Sequence, residues 1–237
     1  MKNFFDKLYK GTKKDFFVEL QRRLDGGEKT FIVTANPEAF MYGEKDNIVR
    51  KLLLDKSTTV VADGIGLVKA AKMLDIDIPE RIPGIDIAQQ LLQFGNDTKK
   101  TIFLCGAKQE VLDALKQEIG KEYPDINILG MCNGYVEDKN KVFETIEELE
   151  PDIILVALGM PVQEKLIYES LDKFNKGIFV GVGGSFDVLS GTKKRAPEFF
   201  IKHNLEWLYR IAKEPSRIRR FYDNNIKFLF KINKEKK

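Results

Sequence analysis

Cysteine and histidine are the scarcest reactive residues in this sequence, and their scarcity narrows the chemistry. The 237 residues include two cysteines and one histidine. Cys105 and Cys132 lie in TIFLCG and GMCNG, where they offer no disulfide framework and favour a reducing compartment. His203 stands alone, which excludes any mechanism that needs a pair of histidines.

Long apolar runs are also missing. The sequence contains no uninterrupted stretch of about 18 apolar residues, the length that a membrane-spanning helix needs. The opening residues, MKNFFDKLYKGTKKDFF, lack the apolar centre of a secretory signal, so we expect a cytoplasmic location. Repeats and low-complexity segments are absent, and a hydrophobic content of 43% is ample for a packed core.

Charge is distributed unevenly along the chain. The net charge is +3, yet residues 193–237 carry 14 Lys and Arg against five Asp and Glu. The remainder of the chain is therefore net negative. This segment is predicted to be an electrostatically separate part of the molecule.

Short β-branched runs alternate with segments of helical period through most of the sequence. The runs are apolar on both faces, as buried parallel strands require. This alternation predicts an α/β fold, a doubly wound and mostly parallel Rossmann-like sheet with helices on both faces. We assign residues 1–194 to this catalytic domain and 195–237 to a basic helical appendage. The predicted strands cover 30–35, 58–62, 101–106, 126–131, 152–159 and 177–184.

The second predicted strand ends on a carboxylate. The stretch VVADGIGLV leads from β-branched residues into Asp63, followed by Gly64 and Gly66. Asp is depleted in strands and costly to bury unpaired, so this position predicts exposure in a cleft. Ligands of doubly wound sheets bind beyond the carboxyl ends of the strands. Asp63 is therefore our candidate general base.

Other strand ends carry features that suit an anion. Asn36 can cap a helix that begins with Pro37, and Gln163 falls in the first turn of another helix. Helix N-termini and glycine-rich turns present backbone N–H groups to phosphate. We therefore predict a site for a nucleotide or a phosphorylated ligand. The glycine-rich turn contributes Gly181, Gly183 and Gly184.

Each of these features also has a plainer interpretation. Asn36 and Gln163 can be helix caps only, and the glycines can serve close packing only. A dinucleotide fingerprint is disfavoured, because GVGGSF places Phe186 where the third glycine belongs and GIGLVK places Lys69 there. The run from Asp75 to Asp77 resembles a metal-binding DxD but fits a solvated loop better. We expect neither a metal nor a cofactor.

Seven motifs follow one another along the chain: TANPEAF, VVADGIGLV, ERIPGIDI, IFLCGAKQEV, LVALGMPVQEKLI, VGVGGSFDVLSGTKKRAPEFF and NLEWLYRIAKEPSRIRRFY. Together they resemble the WecG/TagA/CpsF glycosyltransferase family, and the TagA branch most closely. The similarity spans nearly the whole chain. It implies transfer of N-acetylmannosamine from its UDP nucleotide to undecaprenyl-diphospho-N-acetylglucosamine. The product is a β-1,4 link formed with inversion, in wall teichoic acid or related surface polysaccharide synthesis.

The resemblance also implies roles for individual residues. Thr34, Asn36 and Gln163 match polar positions of the family's pocket. Arg81, in ERIPG, matches an arginine and suits a diphosphate because its guanidinium can donate two parallel hydrogen bonds. Further arginines, expected to contact substrate phosphate, lie in EWLYR and EPSRIRR: Arg210, Arg217 and Arg220.

The basic C-terminal segment has helical spacing with an aromatic-bearing face. Such a helix suits an anionic membrane surface, and the resemblance implies an appendage that brings the enzyme to the inner face of the cell membrane. A solvated helix packed on its own domain is the alternative, and nucleic acid is the less favoured polyanion. The predicted basic face comprises Arg217, Arg220, Lys227, Lys231 and Lys234.

Two classes of function remain open at this stage. One is the membrane-associated transferase, with another UDP-sugar (glucose or ManNAcA) as a variant. The other is a nucleotide- or lipid-binding protein without turnover. Asp63 favours the first, because a binder of anions gains nothing from a carboxylate beside its phosphate site. A homo-oligomer is left open.

Overall fold

Six parallel strands form one open sheet in this computed structural model, which describes the backbone of residues 1–235 and their side chains except those of Arg220 and Glu235. The spatial order is β2-β1-β6-β5-β3-β4. All paired neighbours run parallel, which confirms the predicted α/β class. The strands are β1 (Thr30–Ala35), β2 (Thr58–Ala62), β3 (Thr101–Gly106), β4 (Asn127–Cys132), β5 (Ile153–Ala157) and β6 (Ile178–Gly181).

Helices connect the strands and make up the C-terminal segment. A 3₁₀ turn over Leu171–Lys173 and a π-helical stretch over Tyr222–Ile226 accompany them. The α-helices are α1 (Lys2–Asp6), α2 (Lys13–Asp25), α3 (Pro37–Gly43), α4 (Asn47–Leu54), α5 (Ile65–Met73), α6 (Gly84–Asp97), α7 (Gln109–Glu122), α8 (Lys139–Leu149), α9 (Val162–Ser170), α10 (Ser185–Leu189), α11 (Glu198–Lys202), α12 (Glu206–Lys213), α13 (Arg217–Phe221) and α14 (Lys227–Glu235).

The sheet separates two apolar cores, because successive strand residues point to opposite faces. In β1, Phe31 and Val33 pack with α3, α4 and α5, whereas Ile32 packs with α2, α6 and α7. The five strands other than β4 are almost wholly buried, as their continuous apolar runs predict. Helices on both faces confirm the doubly wound arrangement.

Two short connections place polar residues at the carboxyl edge of the sheet. Asn36 follows β1 and caps α3, with its Oδ1 accepting from the Ala39 N–H at 3.0 Å and Pro37 opening the helix. Between β2 and α5 lie only Asp63 and Gly64. Both strands therefore deliver their next side chain directly to the rim.

The last helix packs on the body of the protein. Phe228 and Ile232 of α14 are fully buried in the core that contains Phe5 and Phe40. Lys231 pairs with Glu44, which also binds the N-terminal amine. The π-helical stretch lies between α13 and α14. Its i→i+5 bonds widen the turn and rotate α14 relative to the predicted continuous face.

Candidate active site

Asp63 lies where β2 meets a loop that precedes α6. Its backbone N–H donates to the Ala35 carbonyl at 2.7 Å, which extends the pairing of β1 and β2 by one residue. The Ile82 N–H donates to the Ala62 carbonyl, also at 2.7 Å. The Gly84 N–H donates to the Asp63 carboxylate. Backbone on both sides thus fixes the position of this carboxylate.

The environment of Asp63 raises the pKa of its carboxyl to near pH 7. Burial raises the pKa of the carboxyl to about 7, against the opposing effects of Arg210, the Gly84 N–H and Arg81; the Glu206 carboxylate adds to the increase. A base with this pKa is ionised in about half of the molecules at pH 7 and still has appreciable proton affinity. Asp63 can therefore accept a proton from a sugar hydroxyl.

Two predicted arginines meet on a glutamate that the sequence interpretation missed. Arg81 Nη1 donates to Glu206 Oε2 at 3.2 Å, and Arg210 Nη2 donates to Glu206 Oε1 at 2.8 Å. Arg81 and Glu206 are mostly buried, whereas Arg210 is about half exposed. The electrostatic influence of all three on Asp63 places them in one charged cluster. The motif EWLYR places Glu206 and Arg210 four residues apart, the spacing of a helical ion pair. It contains no sign of the distant partner, Arg81.

Thr34 joins the neighbouring strand β6 to the same region. Its hydroxyl donates to the Gly181 carbonyl at 2.9 Å. A side chain at Gly84 would meet Thr34 Cγ2 at 3.3 Å, so Thr34 lies against the residue whose N–H binds Asp63. On the other side, a side chain at Gly64 would lie 3.7 Å from Asn36 Cβ. Thr34 and Asn36 thus both lie close to the ends of β1 and β2.

Gln163 ties two glycine turns together. Its Oε1 accepts the Gly159 N–H at 2.9 Å and the Gly183 N–H at 3.2 Å. Gly183 has φ +50°, a conformation that favours glycine. A Cβ at Gly181 would lie 2.6 Å from Gln163 Nε2, so this position has no room for a side chain. The Gly183 N–H is thus bound within the protein here.

Glu164 is a second buried carboxyl that the sequence interpretation missed. Gln163 Nε2 donates to its Oε1 at 2.8 Å, while Oε2 is buried without a hydrogen-bond partner. Burial raises the pKa of Glu164 to about 7, although the Gln163 hydrogen bond opposes the increase. The motif GMPVQEK contains Glu164, but its sequence gives no sign that the side chain turns inward.

The remaining predicted residues lie outside these hydrogen-bonded groups. Arg217 Nε donates to Glu214 Oε2 at 2.7 Å, and no described contact joins it to Asp63. Gly184 precedes α10, with a hypothetical Cβ 3.8 Å from Asp187 Oδ2. The side chain of Arg220 is outside the described part of the structure, so its predicted phosphate contact stays a prediction.

The described residues offer neither a cluster of metal ligands nor a membrane-spanning helix. Asp75 and Asp77 are both exposed. Within 1–235, no three His, Cys, Asp or Glu side chains converge as ligands for an ion. No helix in the same range combines the length and the apolar character needed to cross a membrane.

At the carboxyl edge of the doubly wound sheet, Asp63 has a pKa of about 7 and lies in a cluster with two arginines. This arrangement suits an enzyme that acts on an anionic ligand. The model of the glycosyl transferase WecG/TagA/CpsF family matches residues 5–237. The chain belongs to this family, which confirms the resemblance carried by the seven motifs.

Several similar proteins share one name, N-acetylglucosaminyldiphosphoundecaprenol N-acetyl-beta-D-mannosaminyltransferase. The Bacillus subtilis (strain 168) protein is 42% identical over 189 residues, which cover 80% of this chain and 73% of the relative. The Bacillus spizizenii protein is 39% identical over 197 residues, covering 83% and 76%. The Staphylococcus aureus (strain MW2) protein is 37% identical over 208 residues, covering 87% and 81%.

Proposed function

We propose that this protein transfers N-acetylmannosamine from UDP-N-acetylmannosamine to undecaprenyl-diphospho-N-acetylglucosamine with inversion, giving a β-1,4 link. The names of the relatives support the sugar and the lipid-linked acceptor. The observation that carries the chemistry is Asp63 at the end of β2, beside the guanidinium groups of Arg81 and Arg210. The product belongs to wall teichoic acid or a related surface polysaccharide.

In the proposed reaction, Asp63 removes the proton from the 4-hydroxyl of the acceptor sugar. The hydroxyl oxygen forms a bond to the anomeric carbon of the donor while the bond from that carbon to the UDP oxygen breaks. The electron pair of the broken bond leaves on UDP, and the proton stays on the Asp63 carboxyl. Attack opposite the leaving group inverts the anomeric centre.

The developing charge on UDP needs preorganised donors. Arg81 and Arg210 are the proposed partners of the diphosphate, because guanidinium groups bind paired oxygens in a fixed geometry. Arg217 and Arg220 are proposed to reach the phosphates once substrate is present. The pocket for the sugars and the nucleotide is proposed to be formed by Thr34, Asn36, Gln163, Gly181, Gly183 and Gly184. Within it, Gln163 shapes the glycine turn by accepting the Gly183 N–H.

The C-terminal segment is the proposed contact with the inner face of the cell membrane. Its described surface carries large exposed apolar side chains among basic ones, a composition suited to an anionic leaflet. Assembly into a homo-oligomer is a further proposal that the family resemblance supports. The exposed apolar side chains are Phe199, Trp207, Leu208, Ile218, Tyr222 and Phe230.

A turnover assay with purified full-length protein and a short-chain lipid-diphospho-N-acetylglucosamine acceptor tests this function. The donors are UDP-N-acetylmannosamine, UDP-N-acetylglucosamine, UDP-glucose and UDP-N-acetylmannosaminuronic acid. We expect turnover with the first, loss of that turnover in Asp63→Asn, and a β-1,4 linkage by NMR. Turnover with another donor would replace the proposed sugar. Binding of UDP-sugars without turnover of any would favour a non-catalytic protein.

A further inference from the structure

Glu206 is the first residue of α12, and its carboxylate is buried although its described neighbours in the segment are half-buried or exposed. Its side chain is only 9% exposed, whereas the side chain of Arg210, one turn later, is 54% exposed. Each carboxylate oxygen accepts from a different arginine, and Arg81 comes from the loop before α6. One C-terminal side chain thus links two arginines from separate elements.

Glu206 remains charged in this position. Burial alone would raise its pKa, but the guanidinium groups of Arg210 and Arg81, with a further contribution from Arg195, hold the pKa below its usual value. Without the carboxylate, two neighbouring guanidinium groups would repel each other. The exposed Arg210 would then have no described partner to hold it near Arg81.

We propose that Glu206 is a positioning residue that holds Arg81 and Arg210 side by side to receive the diphosphate of the nucleotide. The inference rests on the proposed function, which makes these arginines diphosphate ligands. A guanidinium has five N–H groups and the contact with Glu206 uses one of them, so each arginine can donate to a phosphate oxygen at the same time. The diphosphate site therefore forms only when α12 is in place.

A structural ion pair is the competing explanation, and binding measurements separate the two. We would measure the affinity for UDP by calorimetry, with the melting temperature, in full-length wild type and in its variants. The variants are Glu206→Gln, Glu206→Ala, Arg81→Ala, Arg210→Ala and the double variant Glu206→Ala with Arg210→Ala. Glu198→Ala is the matched control, because Glu198 also lies in the C-terminal segment but pairs only with the exposed Lys202 in the described contacts.

We expect Glu206→Ala to weaken UDP binding about tenfold or more, Glu206→Gln to be intermediate, and Glu198→Ala to match wild type within about twofold. In an Arg210→Ala background, Glu206→Ala should cost at least threefold less than in wild type, since one of its two targets is gone. Glu206→Gln preserves side-chain shape and keeps the test valid if the alanine variant folds poorly.

Two results would overturn the inference while leaving the proposed function intact. In both, Arg81→Ala and Arg210→Ala weaken UDP binding. In the first, Glu206→Ala and Glu206→Gln lower the melting temperature but bind UDP normally, so Glu206 is structural only. In the second, they bind UDP more tightly, so Glu206 competes with the diphosphate. Absence of UDP binding in wild type would reject the inference and the proposed function together.

Discussion

The sheet with its two cores and the segment over 198–226 bury opposite kinds of side chain. In the sheet, the buried residues are overwhelmingly apolar and fill both faces. In 198–226, the only buried side chain among those described is that of Glu206, a carboxylate. Hydrophobic burial is non-directional, whereas a buried charge needs specific partners. The first region is thus held by its own packing, and the second by a contact at the active site.

The C-terminal segment returns to the body at its far end. Phe228 and Ile232 belong to the same apolar core as β1 and α3. The segment is therefore attached through Glu206 near Asp63 and through α14 in the core, and the π-helical stretch between them lies against α3. A truncation near residue 196 would remove both attachments at once, so point substitutions are the better probes. The boundary between 194 and 195 stays a prediction.

The largest effect is expected where the segment joins the core. Phe228→Ala removes a fully buried aromatic ring and should lower the free energy of unfolding by about 3–5 kcal/mol. Phe230→Ala is the control, because Phe230 lies on the same helix but is 66% exposed. Urea denaturation measures both. Equal, small losses would mean that α14 is not part of the core in solution.

Turnover should depend most on Asp63. Asp63→Asn keeps the shape of the side chain but cannot accept the proton, so we expect the turnover number to fall about 10²-fold or more. UDP affinity should change little because the arginines remain. Single-turnover kinetics with the soluble acceptor measures the chemical step. A variant that folds correctly and retains near-normal turnover would assign the base to another residue.

A smaller effect should appear on membranes. Lys227→Gln with Lys234→Gln should weaken binding to anionic vesicles by about 2 kcal/mol, roughly thirtyfold, at about 1 kcal/mol for each lysine. Lys231 is left unchanged because it pairs with Glu44 of the body, whereas Lys227, among the described residues, pairs only within its own segment, with Asp223. Vesicle sedimentation at low and high salt measures the loss, and turnover of the soluble acceptor should be spared. If the double variant bound anionic vesicles as tightly as wild type, these lysines would not be part of the membrane contact.

The smallest effect is expected from the acidic loop. Asp75→Asn with Asp77→Asn should leave turnover within about twofold, because both side chains are exposed and asparagine tolerates the φ of +59° at Asp75. Turnover should also persist in EDTA. Loss of turnover on chelation, restored by Mg²⁺ or Mn²⁺, would make this loop a metal site and contradict the expectation.

Much of the body could be predicted from the sequence, because its signals are local. Buried parallel strands appear as β-branched runs, and the strand predicted over 30–35 coincides with β1. The sequence points to Asp63 as a candidate because a carboxylate at the end of an apolar, β-branched strand is unusual. The family motifs then supplied Arg81 and Arg210.

The missed features depend on residues far apart in the chain. Glu206 is buried because Arg81, in a distant loop, lies opposite it. Glu164 turns inward where Gly181 has no side chain, since a Cβ at Gly181 would lie 3.0 Å from Glu164 Oε1. The predicted basic face assumed a regular helix, and local periodicity does not reveal the π-helical stretch that rotates α14 or the burial of Phe228.

The pH dependence of kcat/KM tests the central claim, that Asp63 is the base. Its raised pKa means that it becomes protonated as the pH falls through about 7. With donor well below its KM, where kcat/KM reports the free enzyme, we predict a plateau at alkaline pH and a tenfold fall per pH unit below a midpoint of about 7. Glu164→Gln removes a second carboxyl with a pKa of about 7, and the acidic limb of the pH profile should persist in this variant. A rate independent of pH between about 5.5 and about 8.5, or a limb lost in Glu164→Gln, would contradict the assignment.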